Sequence, residues 1–179
     1  MSIHQISVAY QLDQDRLLLR VRSVSGELFE LWLTRRMMLR LWQPLQKTAV
    51  AASLGLASRD SMILPEAQDM MRQTLRRQAM EKAELRFAFD ENARQRPLGD
   101  EPMLVAAVDI RRETVGQVEL VLRDTRQRSM SLRVSPDLLS NLLSLLEEAL
   151  QRSQWGLALQ QTERKPATPE AQTTKRVLN

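Results

Sequence analysis

Between Arg16 and Leu33 the chain alternates. Leu17, Leu19 and Val21, then Phe29, Leu31 and Leu33, are apolar, with Arg16, Arg20, Arg22 and Glu30 among the positions between them. Period two describes strands with one covered and one wet face. The same rhythm in Ile6, Val8, Tyr10 and Leu12 predicts a strand over 3–12, followed by strands over 16–23 and 27–33. Asp13-Gln14-Asp15 and Ser25-Gly26 supply the turns between them. Strands joined by loops this short form an antiparallel meander, because parallel pairs need long crossovers.

At Thr34 the period changes. Met38, Leu41, Trp42, Leu45 and Ala49 recur at helical spacing, with Thr34 placed to cap the helix and Pro44 to bend it, and the helix is expected to reach about Ala52. Sliding the chain by 101 residues then repeats the whole plan. Leu17, Leu19 and Val21 fall on Val118, Leu120 and Leu122; Phe29, Leu31 and Leu33 fall on Met130, Leu132 and Val134; Thr34 falls on Ser135. The second strand set begins at Met103, where Ala106, Val108 and Ile110 carry the alternation at an offset of 100. The extra residue belongs in the turn near 113–116, since a slip inside a strand would turn every side chain to the wrong face. Strands over about 115–123 and 128–134 follow. Ser135-Pro136 opens a helix to about Ser153, with Leu138, Leu139, Leu142, Leu143, Leu146, Ala149 and Leu150 as its apolar face.

The expected fold is therefore α+β: two pseudo-symmetric βββα repeats, about 3–52 and 103–153, with the helices on one side of antiparallel sheet. Residues 53–102 read as a long, mainly helical connector within one domain, 1–158, and 159–179 as a disordered tail. In the connector, 54–64 reads as a loop and Pro65 as a helix start. The helix is expected to continue to about Asp90, although Leu85, Phe87 and Phe89 also alternate as a short strand would.

Composition changes this picture little. The apolar fraction of 43% and charged fraction of 27% suit a globular domain. No apolar run approaches the roughly 20 residues of a membrane span, and the N-terminus has no signal-peptide pattern, so a cytoplasmic protein is expected. The net charge of +4 is spread unevenly: 7 basic against 4 acidic residues in 1–58, near balance over 59–160, and 4 against 2 in the tail. Of the 26 basic residues 22 are arginine, a bias that genome composition explains without any nucleic-acid partner.

Candidate chemistry is sparse. Without cysteine there is no thiolate nucleophile or zinc–sulfur site, and His4, the single histidine, supports neither a two-histidine metal site nor the usual serine–histidine pairing. The five glycines never cluster into a phosphate-cradling loop. Asp13 and Asp15 are explained by their turn, and Glu147-Glu148 by a solvated helix face. No enzyme, cofactor or metal is expected.

Two surfaces remain. The outward sheet positions Leu18, Arg20, Arg22, Leu28, Glu30 and Trp32 face away from the helices, as do Glu119, Val121, Arg123, Ser129, Ser131 and Arg133. Arg20, Arg22, Trp32, Arg123 and Arg133 are candidates for holding single-stranded nucleic acid through phosphate pairing and stacking. In topology only, two meander-plus-helix units resemble the whirly and PUR-type single-strand binders. The preferred expectation is a non-catalytic protein-interaction module (adaptor, chaperone-like or assembly factor) working as a homodimer. Its candidate contacts are Leu18, Leu28 and Trp32 on the sheet and Met70, Met71 and Met80 in the connector, methionine being adaptable to irregular partners.

Overall fold

The structure is a computed structural model, and it describes residues 2–53, 70, 74, 89, 90, 92–112 and 117–156. Strands β1 (Ile3–Gln11), β2 (Arg16–Ser23) and β3 (Leu28–Thr34) form an antiparallel meander, with β4 (Met103–Leu104) added beside β3. Strands β5 (Ala107–Arg112), β6 (Val118–Arg123) and β7 (Ser129–Val134) form a second, three-stranded antiparallel sheet. Helix α1 (Arg35–Ser53) follows β3 and helix α2 (Pro136–Ser153) follows β7. The described residues are thus α+β, with two sheets and, besides the isolated helical residues Met70 and Thr74, two helices.

Turn chemistry closes the two hairpins of the first sheet. β1 stops at Gln11, so Leu12, read as an inward strand residue, instead opens a 3-10 turn over Leu12–Gln14 and is exposed. Asp15 ends that turn in the left-handed region at φ 47° and donates its N–H to the Leu12 carbonyl at 3.2 Å. At the next turn Gly26 adopts φ 87°, which favours glycine, and a Cβ there would also press on the Arg94 side chain at 3.2 Å.

Both helix starts are capped from the preceding strand end. Thr34 Oγ1 accepts the N–H of Met37 at 3.2 Å, and Ser135 Oγ accepts that of Leu138 at 3.3 Å, with Pro136 in the first helical turn. Helix α1 runs on through Pro44, whose ring removes the amide that would have bonded the Arg40 carbonyl. Gln154 ends α2 in the left-handed region at φ 53°.

The alternating residues meet as the pattern requires. Across β2 and β3 the register pairs Leu17 with Leu33, Leu19 with Leu31 and Val21 with Phe29. Across β6 and β7 it pairs Val118 with Val134, Leu120 with Leu132 and Leu122 with Met130. All twelve are buried, and they share one apolar core with Met38, Leu41, Trp42, Leu45 and Ala49 of α1 and with Leu139, Leu142, Leu146, Ala149 and Leu150 of α2. The helices pack across the two sheets: α2 lies against β1 as well as β7, and α1 against β5 as well as β3.

The expectation of antiparallel sheet throughout is corrected where later chain joins the first sheet, at β4 and at an isolated parallel bridge between Glu27 and Gln95. Met103 and Leu104 pair with Leu31 and Trp32 in parallel. The strand expected from Met103 onward is split, because the chain changes partner at Val105-Ala106. The Val105 N–H still bonds the Trp32 carbonyl at 3.0 Å, whereas the Ala106 N–H bonds the Arg123 carbonyl at 2.8 Å. One extended stretch thereby passes from the edge of the first sheet to the second, the way strands make corners between packed sheets. The expected helical end at Asp90 is corrected as well, since Phe89 and Asp90 belong to neither helix nor strand. Met70 and Thr74 are helical. The loop at 54–64, the rest of the connector helix to 88, the turn at 113–116 and the tail at 159–179 lie outside the described residues.

Candidate functional site

Register partners on neighbouring strands point to the same face, so the pairings lay out the outer surface of the first sheet row by row. One row is Ala9, Leu18, Trp32 and Leu104, one residue from each of the four strands. The next is Ser7, Arg20 and Glu30, and the one beyond it is Gln5, Arg22 and Leu28.

The last two rows are covered by the chain itself. The segment after the connector returns across them: the Phe89 ring lies 4.8 Å from the Arg20 guanidinium carbon, a cation–π contact, and Arg20 Nε donates to Ser7 Oγ at 3.2 Å. Arg22 forms an ion pair with the Asp90 carboxylate and donates to the Asp90 carbonyl at 2.8 Å. The Asp90 N–H in turn donates to Gln5 Oε1 at 3.1 Å. The Asn92 N–H, with Arg22 assisting, holds the Asp90 carboxyl below its ordinary range despite partial desolvation. Arg96 forms an ion pair with Glu30, the Leu28 N–H donates to the Gln95 carbonyl at 2.9 Å, and the Arg94 N–H to the Gly26 carbonyl at 3.0 Å.

This cover decides which candidates are available. Leu28 stands on the outer face with Arg22 but is only 2% exposed beside the returning segment, so it is closed to a partner. Leu18 and Trp32 are half-buried, and beside them Leu104 remains 43% exposed. The first row is therefore an apolar strip, partly open, that crosses the whole sheet. Met70 is 71% exposed on its helical turn; Met71 and Met80 lie outside the described residues.

The outer face of the second sheet is largely polar, and its arginines stand beside carboxylates. Glu119 sits between Arg111 at 3.8 Å and Arg133 at 3.9 Å, and Ser131 Oγ donates to Glu119 Oε1 at 2.5 Å. Arg123 pairs with Asp109 at 2.6 Å. The five residues considered for nucleic acid are thus divided between two sheets, and each of the four arginines has an acid or a ring beside it.

A third cluster was not legible in sequence. Asp15, placed in a turn by local chemistry, accepts the Trp155 indole N–H at 2.6 Å and the Tyr10 hydroxyl at 2.9 Å. The two rings meet edge to face at 6.0 Å. The Trp155 bond, followed by that of Tyr10, holds the Asp15 carboxyl below its ordinary value, while the Asp15 hydrogen bond pushes the Tyr10 phenol up. A tryptophan just past the apolar face of α2 was the sole local hint. His4 is exposed on β1, where the register shifts between Ile3 and Gln5.

Among the described residues no three histidines, aspartates or glutamates lie close enough to hold a metal ion. No described helix is long and apolar enough to cross a membrane. Set against protein-family models, curated proteins and solved structures, the chain matches none.

Proposed function

We propose that this chain is a non-catalytic protein-interaction module (an adaptor, chaperone-like or assembly factor) that works as a homodimer in the cytoplasm. Its docking surface is the row Ala9, Leu18, Trp32 and Leu104. One observation carries this reading: the returning segment covers the rows of Arg20 and Arg22 on that sheet face and leaves this apolar strip partly open. Water contact with such a strip is unfavourable in proportion to its apolar area, so a covering partner gains that term.

The same proposal takes the architecture as two pseudo-symmetric βββα units in one domain of about 158 residues. Its support is the common offset of 101 in the core pairings, from Leu17 with Leu33 to Val118 with Val134, and the reciprocal packing of each helix on the other sheet. The single-strand nucleic-acid reading, on Arg20, Arg22, Trp32, Arg123 and Arg133, draws less support because those arginines are already engaged by neighbours.

Light scattering on the purified chain tests the proposal. A dimer is expected, weakened by Leu104→Asp and by Leu18→Asp with the circular-dichroism spectrum unchanged. A chain that stays monomeric at high concentration, or a dimer indifferent to both substitutions, overturns it.

A further inference from the structure

The geometry points to a second binding surface: the outward face of α1 is a site for the phosphate backbone of duplex nucleic acid, held by Arg36, Arg40 and Lys47. At 100° per residue these three, with Leu39 and Gln43, fall on one stripe opposite the buried stripe of Met38, Leu41, Leu45 and Ala49. All five are exposed.

What separates this face from the others is its lack of counter-charge. Many of the sheet and loop arginines face an acid: Arg22 faces Asp90, Arg96 faces Glu30, Arg123 faces Asp109, Arg128 faces Asp124, and Arg111 and Arg133 share Glu119. Helix α1 contains no acidic residue in its 19 positions. Among the described residues no carboxylate pairs with Arg36, Arg40 or Lys47. Arg16 on β2 and Arg94 and Arg126 in loops also stand without an ion pair among the described residues, but α1 sets three such cations in one stripe with no acid on the helix. Arg35 and Arg36 also stand in the first turn, where the helix dipole favours anions and disfavours cations. Such a placement weakens the isolated chain and is relieved when an anion binds beside it.

The shape of the stripe selects the anion. With a rise of about 1.5 Å per residue, Arg36 and Arg40 are separated by about 6 Å along the axis and Lys47 lies about 10 Å further. A straight row roughly 16 Å long faces several phosphates of a duplex that carries one charge per about 1.7 Å of axis, whatever its sequence. An acidic protein would have to match that spacing residue by residue. A lipid surface would need an apolar face to bury, but the apolar stripe of α1 is spent in the core and Leu39 alone points outward. No aromatic ring stands on this face, Trp42 being 4% exposed, so stacking gives single strands no advantage.

The test uses the full chain and a fluorescent duplex of random sequence, read by anisotropy across a salt series, with anionic phosphatidylserine vesicles as a parallel probe. Duplex binding at low salt is expected, with log affinity falling against log salt at a slope of roughly −3 for three contacts. The triple variant R36Q/R40Q/K47Q should weaken binding at least tenfold and flatten that slope. Glutamine keeps the helix propensity, and circular dichroism checks the fold. The pair R123Q/R133Q on the sheet should bind like the parent chain. The inference is overturned by absence of duplex binding at low salt, by binding that the triple variant leaves unchanged, by equal loss in the sheet variant, or by binding to vesicles alone.

Discussion

Asp15 does more for this molecule than its place in a hairpin turn suggests. It joins β1, through Tyr10, to the residue that follows α2, through Trp155, and so ties the two ends of the described chain. Because these bonds favour the charged carboxylate, its folded pKa lies below the ordinary 3.8. The unfolded chain therefore takes up this proton at a higher pH than the folded one. Stability from Asp15 is present above the unfolded value and is lost as pH falls through the folded value. Urea unfolding between about pH 5 and pH 3 should show a steeper loss for the parent than for Asp15→Asn, since the unfolded carboxyl titrates near 3.9. Equal slopes would remove Asp15 from the acid response. The caps are simpler. Ser135→Ala should cost about 1 kcal/mol in chemical denaturation by freeing the Leu138 N–H. The caps were readable because they involve residues three apart. The Asp15 node was not, because Tyr10 and Trp155 are brought to it by folding.

Each of α1 and α2 buries the stripe that its spacing marked out, and the two hairpins of the first sheet turn where Asp15 and Gly26 stand. Pro44 is the local rule that α1 breaks. It is exposed, so its ring contributes little packing, while the lost amide and the crowded Arg40 carbonyl oppose the helix. Replacing it with alanine should stabilise the chain by about 1–3 kcal/mol, measured as a rise in the urea midpoint with unchanged slope. A loss of stability would mean that the proline sets a bend the core depends on. The stretch from Met103 to Arg112 shows the opposite limit of local reading. Its alternation predicts one strand, yet it serves two sheets, because Val105 and Ala106 bond to different partners. Side-chain pattern reports which face is covered. It carries no record of which backbone lies alongside.

Both sheets and both helices contribute to one apolar core, and cutting into either end should therefore weaken the same structure. Leu31→Ala in the first sheet and Leu132→Ala in the second should each cost about 2–5 kcal/mol, both positions being essentially closed to solvent. Tryptophan fluorescence and far-ultraviolet circular dichroism should follow a single shared transition in each variant. Two separated transitions would mean that the halves fold as independent units.

Local chemistry along the chain was enough to set the strands and helices, their caps and turns, and the residues that became core, because alternation, helical spacing and capping act over a few positions. Folding alone decided that the sheets would be two and joined by a shared strand. It also decided that Arg22 would meet Asp90 and Asp15 would meet Trp155, partners 68 and 140 residues apart. The open apolar row and the unmatched cations of α1 are likewise visible only after those pairings are made. A charge or an oily side chain becomes a surface feature through what fails to cover it, and distant backbone does the covering.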